Sequence, residues 1–209
     1  MAMVSSGGCS AIGATVAAIE REKKVEVPAK YTDLANRTVA VVVQADMSTL
    51  YEHPTVAAAI ATNVGGRLQT NIEGIRVRNP RDVAAWQYQT PGWSSLPYGD
   101  IAKQLDVERV IFIDLYEYRL NPVGNRFLWE GVCAANVGII EREGLDPDSY
   151  ADTFNIVAKF PTVTAVARDA ASQSQIETGL MMRFIEETSW LFYMHIAPKY
   201  PDRRADQVL

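Results

Sequence analysis

The sequence predicts an α/β domain tending toward α+β: a mixed sheet, parallel in its first half with crossover helices and antiparallel in its second, closed by a C-terminal helix. Three observations predict it. Residues 38–44 read Thr-Val-Ala-Val-Val-Val-Gln, a β-branched run apolar on both faces, which is the pattern of a strand buried in the middle of a sheet. From there to residue 115, strand-like runs alternate with helix-like periods, the order that calls for parallel pairing through crossovers. Beyond residue 116, strand-like runs follow one another across turn compositions, the order of antiparallel pairing.

The elements follow in turn. Pro54 suits the first position of a helix, and Val56, Ile60, Val64, Leu68 and Ile72 recur every fourth residue down one face. Gly65 and Gly66 inside that helix each cost about 1 kcal/mol relative to Ala, so either close packing on the sheet compensates or the helix breaks there. Residues 74–78 predict a second strand, and Asn79-Pro80 directly after it is a cap followed by a proline at the helix start. Residues 98–105 predict a short helix and 109–115 a third apolar strand. Residues 116–120 and 126–141 predict strands joined by a turn over 121–125, Asn-Pro-Val-Gly-Asn. One more strand is expected at 155–160, and an amphipathic helix over 172–196, with Leu180, Met181, Phe184, Ile185, Leu191 and Phe192 as its core stripe.

Residues 1–30 read as a tail or linker, with a short helix possible over 11–24. Residues 31–198 read as one domain and 199–209 as a second tail. With 209 residues, 48% hydrophobic and 22% charged, the chain has a globular composition. A formal charge of −5 supplies no general positive field, so nucleic acid is not an expected partner. No run of about 18 apolar residues is present.

The order β-α-β-α-α-β-β-β-α has residues 101–114 at its centre, reading Ile-Ala-Lys-Gln-Leu-Asp-Val-Glu-Arg-Val-Ile-Phe-Ile-Asp. It resembles the α/β domain shared by the TolB amino-terminal domain and envelope lipoproteins such as the penicillin-binding-protein activators and the curli secretion-channel subunit. In that group a short helix of the IAxxLxxxxVI kind runs straight into a central strand. A strand–Arg–short-helix unit precedes it, as Val77-Arg78-Asn79-Pro80 does here. The match covers residues 37–141. The resemblance implies a binding and assembly role in the envelope, exercised on a protein partner and without catalysis.

Catalytic signatures are missing: there is no GxSxG elbow, HExxH pair, Walker loop or GxGxxG turn. His53 and His195 are the two groups able to act as a base near neutrality without a large shift. His53 precedes a proline at a helix entry, and His195 is expected in the last turn of the final helix, where a cation complements the dipole. Asp146, Asp148 and Asp152 share a turn but lack an EF-hand's glycine and closing glutamate. No cofactor or metal is expected. Asp114, Glu117 and Glu130, on or beside neighbouring strands, are the carboxylates from which a hydrolase or transferase site would be built if one existed. A small-molecule-binding domain is the other alternative. Cys133, between Val132 and Ala134, is expected as a buried small hydrophobe.

Two features point outward. Trp86, Tyr88, Trp93 and Tyr98 crowd a Gln-, Pro-, Gly- and Ser-containing stretch, as partner anchors or as a satellite core folded over the sheet. Ser6-Gly7-Gly8-Cys9 resembles a bacterial lipobox, with Ser6 where leucine is usual. The expectation is that Cys9 is the lipid-bearing first residue of the mature protein, held to a membrane on its periplasmic side. Residues 1–4 offer four apolar residues and no positive charge, so the leader is expected to begin upstream of Met1. The alternative is a cytoplasmic chain in which Cys9 is incidental.

Overall fold

A computed structural model describes residues 24–162 and 164–199. Its centre is a five-stranded mixed sheet in the order β3-β2-β4-β6-β7. Strand β2 (Thr38–Ala45) runs parallel to β3 (Arg76–Val77) on one side and to β4 (Arg109–Arg119) on the other. β4 pairs antiparallel with β6 (Gly131–Glu141), and β6 antiparallel with β7 (Asp152–Phe160). The parallel half and the antiparallel half therefore meet at β4, as the run order predicts. Two small sheets flank this one, β1 (Lys24–Val27) with β9 (His195–Pro198) and β5 (Leu128–Trp129) with β8 (Val166–Ala167).

Alternating side chains of β2, β4 and β6 divide the core in two. Val39, Val41, Val43, Ile111, Ile113 and Leu115 face helices α2 (Val56–Asn71) and α5 (Gln173–Ser189). Ala40, Val42, Val110, Phe112 and Ile140 face α3 (Pro80–Gln89) and α4 (Tyr98–Gln104). Helix α2 buries Val56, Ile60, Val64 and Leu68, four of the five residues of the expected stripe, each worth about 1.5–3 kcal/mol when fully removed from water; the fifth, Ile72, is the extended C-cap beyond the helix and only partly buried. It runs unbroken through Gly65, where a Cβ would lie 3.2 Å from Val77 Cγ1, so the missing side chain is what lets helix and β3 approach. Helix α3 starts as expected: Asn79 accepts from Arg81 N at 3.0 Å and Pro80 takes the first turn. Ser172 and Gln175 form a reciprocal capping box on α5.

Several expectations are corrected. Residues 24–27 are not linker but a strand, paired in register from Lys24 opposite Pro198 to Val27 opposite His195. Helix α5 ends at Ser189 instead of running to 196. His195 accordingly opens β9 instead of sitting in the helix's last turn, its ring stacked on the helix's C-cap residue Trp190 at 4.3 Å. The strands foreseen separately at 109–115 and 116–120 are one, β4, interrupted by a register shift at Tyr116. That extra residue turns Tyr116 outward and breaks the alternation that a sequence reading relies on. The strand at 74–78 shrinks to two residues, and the strand at 155–160 starts at Asp152. Cys9, the possible helix over 11–24 up to residue 23, and the tail from residue 200 onward lie outside the described residues.

Candidate functional site

The strand order places a topological switch at the carboxyl ends of β2 and β4. Leaving β2 the chain returns on one side as β3, then crosses to the other side as β4. Open α/β sheets leave a crevice at that point. Here Asp46 follows β2 directly and caps the short helix α1 (Met47–Glu52), its Oδ1 accepting from Thr49 N at 2.6 Å and from Ser48 Oγ at 2.8 Å. The Thr49 amide, followed by the Ser48 hydroxyl, holds the Asp46 carboxyl below its ordinary range. His53 follows α1, its ring edge-on to Tyr118 with centroids 4.7 Å apart. Burial, first of all, pushes the Tyr118 hydroxyl up from its ordinary value.

Two cavities share Glu52 and His53 as a common wall. One, of about 480 Å³, lies between the start of α2 and the middle of α5, against Tyr118, Glu177 and Met181. The other, of about 830 Å³, lies under the loop after β4 and is bounded by Arg119, Arg126, Phe127, Trp129 and Arg168. Hydrogen bonds inside the loop preform this second cavity. Asn121 Nδ2 donates to Leu128 O at 2.6 Å, Phe127 N to Asn125 Oδ1 at 2.9 Å, and Asn125 N to Pro122 O at 3.1 Å. Gly124 takes a left-handed φ of 77°, which closes the turn. The β5–β8 pair fixes the far wall: Trp129 is buried, donates from Nε1 to Ala171 O at 2.8 Å, and carries the Arg168 guanidinium 4.3 Å above its ring.

Arg119 is a strut. Its Nε donates to Glu117 Oε1 at 2.7 Å and its Nη1 to Asn121 O at 2.7 Å, with Glu130 Oε2 3.9 Å away. Glu117 and Glu130 are thus brought together, but around one guanidinium that they share, and Asp114 stands apart. Asp114 lines a hollow on the opposite face of the sheet with Asn136, Asn155, Tyr98 and Tyr150. The three aspartates of the 146–152 turn are spent on loop geometry: Asp148 Oδ1 accepts from Gly99 N at 3.0 Å, Asp146 Oδ2 from Ser149 Oγ at 2.5 Å, and Asp152 Oδ1 from Thr153 N at 2.8 Å. Among the described residues no group of three His, Cys, Asp or Glu is placed to hold a metal. Cys133 is fully buried in β6, and burial raises its thiol well above the ordinary value.

The aromatic stretch does not present one surface. Trp86, Trp93 and Tyr98 are half-buried against the outer face of the sheet; Trp93 and Tyr98 each lie 6.0 Å from Phe112, and Trp86 lies 5.9 Å from Trp93. Tyr98 also stacks on Tyr150 at 4.3 Å. Tyr88 alone of the four points to solvent, 90% exposed. Sequence reasoning missed the crevice residues Arg126, Phe127, Trp129 and Arg168. The flanking of the 121–125 turn by Arg119 and Arg126 was the one signal for them.

No protein-family model matches the chain, and no curated protein sequence does. Among solved structures it is similar to the PelC dodecamer from Paraburkholderia phytofirmans, at 10% identity and a TM-score of 0.47, over 82% of this chain and 97% of that one. It is also similar to lipoprotein GNA1162 from Neisseria meningitidis, at 9% identity and a TM-score of 0.43, over 72% of this chain and 95% of that one. A third is the hypothetical protein CT253 from Chlamydia trachomatis, at 13% identity and a TM-score of 0.43, over 73% and 95%. At this level a likeness says nothing of function, and the narrower resemblance to the TolB amino-terminal domain rests on the sequence pattern.

Proposed function

We propose that the chain is a non-catalytic accessory protein of the bacterial envelope, tethered through a lipid on Cys9, that holds a protein partner in the crevice beyond the carboxyl end of β4. The observation that carries the reading is the preformed crevice of about 830 Å³ beyond the carboxyl end of β4, under the loop that follows it. Its neighbourhood leaves large apolar side chains in water: Val123 and Tyr51 are each 89% exposed and Phe127 83%. Such side chains gathered at one end of a domain fit a partner surface better than a closed reaction chamber. Among the described residues, no carboxylate or hydroxyl hydrogen-bonds the ring of His53, which packs edge-on against Tyr118 instead, so the imidazole lacks the partner that a general base uses. The tether is supported by Ser6-Gly7-Gly8-Cys9; a diacylglyceryl group with an added acyl chain supplies more than one hydrocarbon anchor, enough for stable attachment.

Two measurements on the protein expressed in its own host, with its upstream sequence, test this. The mass of the mature N-terminus should show an acylated Cys9; an unmodified Met1 or Ala2 start sinks the tether. A photo-crosslinking residue at Phe127 should yield a discrete adduct, while the same residue at Asp106, at the other end of β4, should not. Equal adducts from both positions would remove the crevice as the partner site.

A further inference from the structure

The charges lining the crevice oppose those of the chain as a whole. The protein carries a formal −5, yet Arg119, Arg126 and Arg168 line this cavity against the single carboxylate of Glu52. Arg119 is already taken up by Glu117 and Glu130, whose two carboxylates more than offset it, so the free positive charge of the crevice is that of Arg126 and Arg168. Arg126 and Arg168 form no ion pair among the described residues. Both are carried by the small β5–β8 sheet: Arg126 lies two residues before β5, Arg168 follows β8 directly, and Arg168 N donates to Phe127 O at 3.1 Å. The Trp129 ring under the Arg168 guanidinium limits where that fork can swing, so little freedom remains to be lost on binding.

From these observations we infer that the crevice recognises an acidic peptide segment of the partner, taking its carboxylates on Arg126 and Arg168 and its apolar side chains against Phe127 and Val123. A guanidinium fork matches a carboxylate bidentately, and two such forks on one rigid wall read two acidic side chains in an order set by their spacing. The apolar rim decides between a peptide and a free anion. Phosphate or a small carboxylate would leave Phe127 and Val123 in water, whereas a peptide of mixed acidic and apolar residues covers both. Two unpaired arginines on an acidic protein do not make the continuous basic stripe that a nucleic acid requires. This inference rests on the reading of the chain as a binding module and adds the chemistry of what is bound.

The test uses the purified protein and three probes: a peptide of the repeating unit Glu-Glu-Leu, the same peptide with Gln for every Glu, and inorganic phosphate. Binding is read at the Trp129 indole N–H by NMR and by anisotropy of the labelled peptides. The Glu peptide should shift the Trp129 signal and bind at least tenfold more weakly to the double variant Arg126→Glu, Arg168→Glu. It should bind normally to Arg142→Glu, whose partner Asp106 is at the other end of the sheet. Arg126 and Arg168 are exposed, so the double variant should lose no more stability than the Arg168–Trp129 stack supplies, and a cooperative melt with at most a small drop in midpoint separates lost binding from lost folding. Equal binding of the Gln peptide would overturn the acidic class while leaving a peptide-binding crevice. A phosphate shift at Trp129 matching that of the Glu peptide at equal concentration would overturn the peptide in favour of a free anion. No response of Trp129 to the Glu peptide would overturn the inference, and the Phe127 crosslink then decides separately whether the crevice holds a partner at all.

Discussion

Tyr31 donates its hydroxyl proton to Glu141 Oε1 at 2.7 Å, tying the chain's entry into the domain to the last residue of β6. The same hydroxyl accepts from Arg109 Nε at 3.1 Å, and Arg109, with its side chain 7% exposed, also donates to Asp33. Removing the guanidinium leaves the carboxylates of Asp33 and Glu141 without it, but Asp33 is half in water, so the loss falls short of a fully buried pair. Arg109→Met should cost about 2 kcal/mol and Tyr31→Phe about 1 kcal/mol. Urea unfolding at unchanged m-value checks both, and a neutral Arg109→Met would mean the cluster adds no stability.

Glu108 is one of the carboxylates that folding makes more acidic, with Asp33 and Asp46. Its Oε2 accepts from the Thr38 amide at 2.8 Å and the Thr38 hydroxyl at 3.0 Å, and its Oε1 from Arg37 at 2.9 Å. The Thr38 amide first, then Arg37, lower its pKa from 4.5 to about 2. A carboxylate depressed by folding stabilises above its unfolded value, and that stability is lost as pH falls through the interval down to the folded value. The melting temperature of the wild type should therefore fall between pH 4.5 and about 2. Glu108→Gln should start lower at neutral pH and fall less over that window, the two curves converging in acid. Parallel curves would refute the assignment.

Gly138 is a seat for a ring. A Cβ there would run into Tyr150, which stacks on Tyr98. Gly138→Ala should cost about 1–3 kcal/mol by displacing that ring, and much less in a Tyr150→Ala background. A double-mutant cycle reads the difference; additive costs would show that the ring is not what the methyl meets.

The aromatic stretch divides by burial. Trp93→Ala should cost about 2 kcal/mol, since the indole covers Phe112, while Tyr88→Ala should stay within about 0.5 kcal/mol. Equal losses at both positions would contradict the packing described.

The apolar periods made much of this fold legible. Residues 38–44 announce β2 because a central strand is buried on both faces, and the four-residue stripe of α2 survives its two glycines. Where a local pattern is overruled by a distant partner, the sequence misleads. Residues 195 and 196 read as the end of a helix because they follow one, and become part of a strand because residues 24–27 lie alongside. Tyr116 breaks the period of β4 and hides the strand's continuity. The crevice was illegible for a related reason: Arg126 and Arg168 are 42 positions apart in the sequence, and the two-residue pairing of β5 with β8 joins them. No period announces a strand of two residues.

The small β1–β9 ribbon has a geometric consequence. Lys30 and Tyr31 donate their backbone N–H groups to Leu191 O, just past the end of α5, whereas the first residue of α5, Gln173, borders the arginine crevice. The 17 residues of α5 therefore separate the ribbon's attachment from the crevice by roughly 25 Å at 1.5 Å per residue. The ribbon and the cleft occupy opposite ends of one helix, so whatever grips the ribbon leaves the cleft unobstructed.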